Sequence, residues 1–130
     1  MPQITGEALQ IVSFINFQWR KHFTVRMEVP MKELFEQPEN SGLKHIWKHG
    51  TADIAVYKRD TDKLVAIIEP GGAHHYDEKQ MKNDKRKWKL CEINGVGCLH
   101  LMNSVLHQKL SKRKMRALIG SVLFKKNELT

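Results

Sequence analysis

The segment "IIEPGGAHH", residues 67–75, runs a series of apolar residues into a carboxylate, a glycine turn and two histidines. Glu69 closes the apolar run, and Gly71 and Gly72 permit unusual backbone angles and a close backbone approach. An acid at the end of a strand, next to a sharp turn, is a common way to hold a metal ion or a catalytic group. A plain tight turn would also explain the glycines, and both interpretations can hold together.

Asp53 supplies a second carboxylate inside the apolar stretch "TADIAVY". Alternation along a strand puts its side chain on the face opposite Ile54. A hairpin to the next strand would bring Asp53 close to Glu69. Two close carboxylates repel each other unless a cation lies between them, and carboxylate oxygens suit a hard cation such as Mg²⁺. The alternative is that Asp53 lies on the solvated face of an edge strand.

A third acid, Asp84, lies in the lysine-rich segment that follows the turn. On a helical wheel it shares a stripe with Met81, Trp88 and Cys91, so Asp84 is predicted to point inward. Trp88 is predicted to pack in the core, and stacking on nucleic-acid bases is the alternative for it. An inward-facing acid usually has a partner or a metal. The alternative is an ordinary surface pair between Asp84 and Lys87, three positions apart.

The elements that must position these acids are helices and strands in alternation. In chain order they are predicted as a helix over about 5–21, a strand over 23–30, a short helical turn within 31–36, a loop over 36–42, strands over 51–57 and 63–69, a helix over 77–94, a strand over 96–102 and a helix over about 104–126. This order indicates an α/β domain with a central sheet flanked by helices. The strands 51–57 and 63–69 should form a hairpin, and 63–69 and 96–102 should be parallel with a right-handed crossover.

Size and charge bound the class of protein. A chain of 130 residues, 41% hydrophobic and 28% charged, is expected to form a single domain over residues 1–130. Its net charge of +8 is uneven, since residues 1–40 carry −1 and residues 41–130 carry +9. Such a basic half favours a polyanion, most often nucleic acid and less often an anionic membrane surface.

Two basic runs, 82–89 and 109–116, are the predicted contacts to phosphates, although a solvated helix face is the alternative for each. The residues concerned are Lys82, Lys85, Arg86, Lys89, Lys112, Arg113 and Lys114. No apolar run is long enough to span a membrane, and no signal-peptide pattern opens the chain, so no membrane partner is expected. The two cysteines are too few for a disulfide framework, which favours a cytoplasmic or other intracellular setting.

The ordered set D-x(15)-E-P-G-G-A-H-H-x(8)-D-K-R-K, followed by "GVGCLHL", resembles the PD-(D/E)xK nuclease superfamily. It is most similar to the small branches related to very-short-patch repair endonucleases. The resemblance covers about residues 5–102, and Gly95 falls at the glycine that precedes the family's final strand. It implies a restriction-endonuclease-like mixed β-sheet flanked by α-helices. Each motif alone is weak, and the ordered set carries the comparison.

The resemblance also implies roles for individual residues. The residues it implies to be catalytic are Asp53, Glu69, His75 and Lys87. Those it implies to hold one or two Mg²⁺ ions, or Mn²⁺ in their place, are Asp53, Glu69, the Pro70 carbonyl, Glu7 and Asp84. His75 would act as general base or bind the phosphate, since the free pKa of histidine suits either role. For Glu7, a first-turn acid favoured by the helix dipole is the alternative.

One position departs from the family pattern. Gly71 stands where the family has lysine or aspartate, and that lysine usually orients or deprotonates the attacking water. Either Lys87 or His75 has taken over the role, or the activity has been lost. The expected function is thus a metal-dependent DNA endonuclease of low sequence specificity, or one specific for junctions or flaps, with RNA not excluded. The alternative is a catalytically inactive nuclease-fold module that binds nucleic acid.

Two further expectations concern assembly and origin. A homodimer would suit cutting of both strands, with the apolar stripe of the last helix as its interface, although core packing is the alternative use of that stripe. A small stand-alone nuclease of this kind would fit a phage or mobile-element gene. The cysteines and histidines lack the close pairs of a zinc site, so Cys91 and Cys98 are predicted to be small core residues.

Overall fold

The structure, a computed structural model, describes residues 6–71, 78–102 and 112–124. It is a mixed α/β arrangement in which helices flank a four-stranded sheet of order β1–β2–β3–β4. The strands are β1 Phe23–Pro30, β2 Thr51–Lys58, β3 Leu64–Gly71 and β4 Gly97–Met102. The helices are α1 Gly6–Trp19, α2 Met31–Leu34, α3 Lys44–His49, α4 Glu78–Ile93 and α5 Lys112–Leu123, with a 3₁₀ turn at Ser41–Leu43.

The predicted order of helices and strands is confirmed, with one addition. The helix α3 was not predicted because its six residues, "KHIWKH", are too few to show a helical period. The helix predicted over 104–126 is described from Lys112 onward and ends at Leu123. His75 lies outside the described residues, as does the rest of the segment 72–77.

The sheet is mixed because its strands join in two different ways. β1 pairs with β2, and β2 with β3, in antiparallel fashion, whereas β3 and β4 are parallel and connected through α4. The predicted hairpin and the predicted parallel pair are both confirmed. The hairpin turn places Asp62 at φ 57°, a left-handed conformation that aspartate tolerates better than most residues.

The helix α4 ends where the sequence predicted. Gly95 has φ 69°, which suits a residue without a Cβ, and the Val96 amide donates to the Cys91 carbonyl at 2.9 Å. This reversal sends the chain directly into β4. The turn therefore helps to set where β4 begins, with Gly97 beside Ala66 of β3.

Helices cover both faces of the sheet with apolar side chains. On one face α1 and α5 pack against β2 and β3, with Ile11, Ile15 and Ile119 fully buried. On the other face α4 packs against β3 through Leu90 and Cys91. Each fully buried aliphatic side chain contributes about 1.5–3 kcal/mol by leaving water. The sheet therefore separates α1 and α5 on one face from α4 on the other.

The apolar stripe of α5 is part of this core. Met115, Ile119 and Leu123 are buried beneath the sheet, so the stripe that was considered as a dimer interface packs within the chain. None of the helices in the three described ranges is long and apolar enough to cross a membrane.

Trp88 was predicted to pack in the core, and this prediction is wrong. Its side chain is 60% exposed, because the buried stripe of α4 runs through Leu90 and Cys91 and includes Lys87. Successive helical residues are rotated by about 100°, so Trp88 is turned toward the flank of the helix.

Candidate functional site

Strand register brings one ionisable residue from each strand to the same level of the sheet. Glu28 of β1 lies level with Asp53 of β2, with an antiparallel pair on either side. Asp53 and Glu69 stand one step beyond the last antiparallel pair of β2 and β3. Glu69 in turn pairs with His100 across the parallel strands. We call these four residues, Glu28, Asp53, Glu69 and His100, the ionisable row.

The middle of the row faces α4. Ile67 packs against the α4 core residues, and Glu69 follows it by two positions, so both side chains lie on that face of β3. Asp53 is on β2, an inner strand of the sheet, and its side chain is half-buried. The alternative of a solvated edge strand therefore does not apply to Asp53.

Lys87 reaches the ionisable row from α4, the helix that covers this face of the sheet. Its ammonium group lies 3.0 Å from Oε1 of Glu69 and donates to the Thr51 carbonyl at 2.7 Å. Only 17% of its side chain is exposed, because it belongs to the same inward stripe as Leu90 and Cys91. A lysine in such a position needs anionic or carbonyl partners to offset its lost hydration.

Both oxygens of Glu69 have partners. Oε1 accepts from Lys87, and Oε2 accepts from the Asp53 amide at 3.2 Å. Burial raises the pKa of Glu69 to about 8, and the charge of Asp53 acts in the same direction while Lys87 opposes it. Glu69 is only 8% exposed, so its burial favours the protonated form over a wider range of pH than in water.

The pKa values of Lys87 and Glu28, which lie near Glu69 and Asp53, are raised as well. Burial lowers the pKa of Lys87, but the Glu69 carboxylate and its hydrogen bond outweigh this effect and raise it overall. Burial and the charge of Asp53 raise the pKa of Glu28, again against Lys87. Among the described residues, four acids thus interact electrostatically with the one ammonium group of Lys87, namely Glu28, Asp53, Glu69 and Asp84, so the site would gain from a further cation.

Glu28 was not predicted as a site residue, because "FTVRMEVP" has the pattern of an ordinary strand. Its φ is 56°, the left-handed region that side chains other than glycine rarely adopt. Such backbone strain costs about 1–3 kcal/mol and tends to occur at functional sites. No sequence pattern signals it, because the position of Glu28 beside Asp53 depends on the register of two strands.

A pocket of about 300 Å³ opens beside Glu69 and Lys87. Its other walls are Met81, Asp84, Lys85, Trp88, Cys98 and His100. Within it Oδ2 of Asp84 lies 3.6 Å from Nδ1 of His100, so Asp84 is directed to β4, and its charge also helps to raise the pKa of Lys87. His100 was also missed, since only the parallel register places it next to Glu69.

Of the remaining predicted metal ligands, Pro70 adjoins Glu69, whereas Glu7 lies away from it. Pro70 follows Glu69 in β3 and is half-buried. Glu7 lies in the first turn of α1, on the opposite side of the sheet from α4. Within the described ranges, no three histidine, cysteine, aspartate or glutamate side chains form a ready metal cage. The oxygen donors that the structure does bring together are the two carboxylates of Asp53 and Glu69.

The two predicted basic runs lie on different faces of the molecule. Lys82, Lys85, Arg86 and Lys89 are exposed along α4, beside the pocket. Arg113 and Lys114 are exposed on α5, on the opposite face of the sheet, and Lys112 begins that helix. The run on α4 is therefore the one adjacent to the ionisable row.

Comparison of the chain with protein-family models, with curated proteins and with solved structures found no match.

Proposed function

We propose that the protein is a metal-dependent deoxyribonuclease that hydrolyses phosphodiester bonds within DNA. The observation that supports this most directly is the contact between Glu69 and Lys87 beside Asp53. Two carboxylates and an ammonium group, set under a basic helix surface, are the parts that hydrolysis of a phosphodiester requires. The proposed enzyme has low sequence specificity or is specific for DNA structure.

The donor set fits a hard cation. Asp53 and Glu69 offer carboxylate oxygens, and the Pro70 carbonyl adjoins them in sequence, so these three residues would hold Mg²⁺ or Mn²⁺. Burial first, and then the charge of Asp53, raise the pKa values of Glu69 and Glu28, and a cation would offset both effects by stabilising the ionised carboxylates. When bound, Mg²⁺ would neutralise charge on the phosphate and make a water molecule more acidic.

Lys87 would take the role of the lysine that the family carries at position 71. From β3, a side chain at position 71 would share the face of Glu69, whereas Lys87 reaches the same carboxylate from α4. Its ammonium group would hold Glu69 in place and stabilise the negative charge that develops on the phosphate. In this proposal the departure at Gly71 is a relocation of the lysine.

DNA would lie along the exposed lysines and arginine of α4. These side chains neutralise phosphates without reading sequence, and the resulting affinity falls steeply with salt. RNA would meet the same charges, so the proposal of DNA is tested against RNA. A homodimer, which would cut two strands, is tested by measuring the mass of the protein in solution, with and without DNA.

A cleavage assay tests the proposal. Linear, nicked, flapped, single-stranded and four-way-junction DNA, with matched RNA, are incubated with Mg²⁺, Mn²⁺ or EDTA. We expect metal-dependent products from the native protein and a loss of at least about 100-fold with Asp53→Asn and Glu69→Gln, since both remove charge at the cation site. Binding in EDTA should persist in both variants.

The matched control is Glu92→Gln, which removes an exposed acid of α4 that lies 3.9 Å from Lys89. This change should leave cleavage within about twofold, as surface pairs contribute little. Binding without cleavage under every metal would overturn the nuclease proposal. The absence of lysine at position 71 favours the second candidate in that event, a nuclease-fold module that binds nucleic acid without cutting it.

A further inference from the structure

We infer that the pocket beside Glu69 receives one unpaired nucleobase of the substrate strand, stacked on Trp88. The inference rests on the proposed action on nucleic acid and names the feature of the substrate that the site would select.

The pocket has the size and lining for a flat ring. Its volume of about 300 Å³ is at the small end of ligand pockets, which suits one base and not a base pair. Trp88, Met81 and Cys98 give it apolar walls, while Glu69 and Lys87 stand at its inner end. A base held here would therefore adjoin the carboxylates proposed to act on the phosphodiester.

Trp88 is exposed where packing would have been expected. A tryptophan left 60% exposed forgoes much of the stabilisation that burial would give it, and Met81 beside it is also exposed. A large apolar side chain at the rim of a pocket is more informative than a buried one. Stacking of a base on such a ring is worth about 1–3 kcal/mol and tolerates any base, because every base has a π-face.

The charges around the pocket select its occupant. Lys85 lines the pocket, and Lys82, Arg86 and Lys89 are exposed on the same helix, so phosphates on either side of the base would meet positive charge. Inside the pocket, Glu69 and Asp84 disfavour a small anion. A second copy of this chain that turned its own α4 surface to the pocket would be repelled, because both surfaces are basic. A neutral base suits the interior of the pocket, and the phosphates on either side of it suit the basic surface of α4.

A base in a duplex cannot enter without leaving its stack and its partner. Extruding it costs a few kcal/mol, and the cost is least for a mismatched, bulged or single-stranded base. The pocket would therefore direct the protein to nucleic acid that contains an unpaired base. This selectivity would arise without any reading of sequence.

The experiment compares binding of three DNA duplexes of one sequence in EDTA. The first is fully paired, the second carries one bulged base, and the third carries an abasic residue at the bulge. We expect the native protein to bind the bulged duplex about tenfold more tightly than either of the others. Trp88→Ala should abolish this preference, and Trp88→Phe should keep most of it because the ring face remains.

Phe17→Ala is the matched control, since Phe17 is an 80% exposed aromatic residue on α1, across the sheet from the pocket. It should leave the preference unchanged. Equal binding of the three duplexes by the native protein, or a full preference in Trp88→Ala, would overturn the inference. Cleavage of paired DNA without preference would overturn it while leaving the nuclease proposal standing. A preference for the bulge without cleavage under any metal would support the pocket and remove the nuclease.

Discussion

The ammonium group of Lys87 lies 3.0 Å from Oε1 of Glu69, although the two residues are 18 positions apart and belong to a helix and a strand. The same group binds the Thr51 carbonyl, at the start of the strand that carries Asp53. Lys87 therefore links α4 to both strands that supply the central carboxylates.

For the proposed nuclease, a lysine introduced at position 71 should restore activity to a chain that has lost Lys87. Lys87→Met should lower the single-turnover rate of DNA cleavage by about 100-fold, because charge stabilisation at the phosphate is lost. The double variant Lys87→Met with Gly71→Lys should recover at least about tenfold of this loss, since position 71 follows Glu69 by two residues on the same strand. Single-turnover kinetics in Mg²⁺ measure both.

Lys89→Met serves as the control for these variants, because its side chain is 57% exposed and pairs only loosely with Glu92. It should weaken DNA binding slightly and leave the single-turnover rate at saturation unchanged. A Lys87→Met protein that folds and cuts at the native rate would contradict the role given to Lys87.

Removing the charge of Asp53 should stabilise the protein in the absence of metal. Burial raises the pKa of Glu69 most, the charge of Lys87 opposes it, and the charge of Asp53 raises it further, because the two carboxylates repel each other when both are charged. Asp53→Asn should raise the free energy of unfolding by about 1 kcal/mol near pH 8 in EDTA, as relief of like-charge repulsion predicts. Chemical denaturation measures this, with the exposed Asp60→Asn as control. A lower stability in Asp53→Asn would mean that the two carboxylates do not oppose each other.

Stability should fall as the pH rises from about 4.5 to about 8. The pKa of Glu69 is raised from 4.5 to about 8 in the folded protein, so within this window the folded chain holds a proton that the unfolded chain has lost. Each rise of one pH unit within this window therefore lowers the free energy of unfolding, by at most about 1.4 kcal/mol. Denaturation in EDTA at several pH values measures the slope.

The variant Glu69→Gln isolates the contribution of that carboxyl group, since glutamine does not titrate. Its stability should vary less over the same window. Lys87 contributes little there, because its pKa is raised above 10.5. A native protein whose stability increases toward pH 8 would contradict the raised pKa.

Backbone strain at Glu28 should appear as a difference between two substitutions. Glu28→Ala removes the carboxylate but keeps a Cβ at φ 56°, whereas Glu28→Gly removes both. The left-handed region costs a residue with a Cβ about 1–2 kcal/mol, so the glycine variant should be the more stable despite its more flexible unfolded state. Thermal and urea denaturation of the pair measure this. If the alanine variant is the more stable, Glu28 is not strained.

The basic surface of α4 should contribute more to DNA binding than that of α5. Lys85 lines the pocket and Lys82 and Arg86 are exposed on the same helix, whereas Arg113 and Lys114 lie across the sheet. Replacing the three α4 residues by alanine should lower the salt slope of binding by about 2–3, since each phosphate contact contributes roughly 0.9. Replacing the two α5 residues should change it by less than about 1. Fluorescence anisotropy over a salt series measures the slopes, and the reverse order would move the DNA to the other face.

Much of the fold could be predicted from sequence because its strands and long helices have clear periods. The apolar stretches of β2 and β3, joined by a short polar turn, specify a hairpin, and Asn94-Gly95 marks the end of α4. The short helix α3 has no such signal. Likewise Trp88 was expected inside, because the helical period gives the width of a stripe but not which edge of it faces the sheet.

The site could be predicted in part for the same reason. Asp53 and Glu69 had a local signal, since both are acids in apolar runs, whereas Lys87 was named, together with His75, only through the family resemblance. Glu28 and His100 had none, because they are placed by pairing between strands that are distant in sequence. Register cannot be derived from the composition of one strand alone.

The ionisable row has a consequence for how the chain is made. Its four members come from four strands, and the last of them, His100, joins through a parallel pairing that needs α4 in place. A slip of one residue in any pairing would turn a member of the row to the other side of the sheet. A chain still being synthesised, or one trapped with its strands misaligned, therefore has no assembled row, and whatever chemistry the row performs stays latent until the last strand has docked.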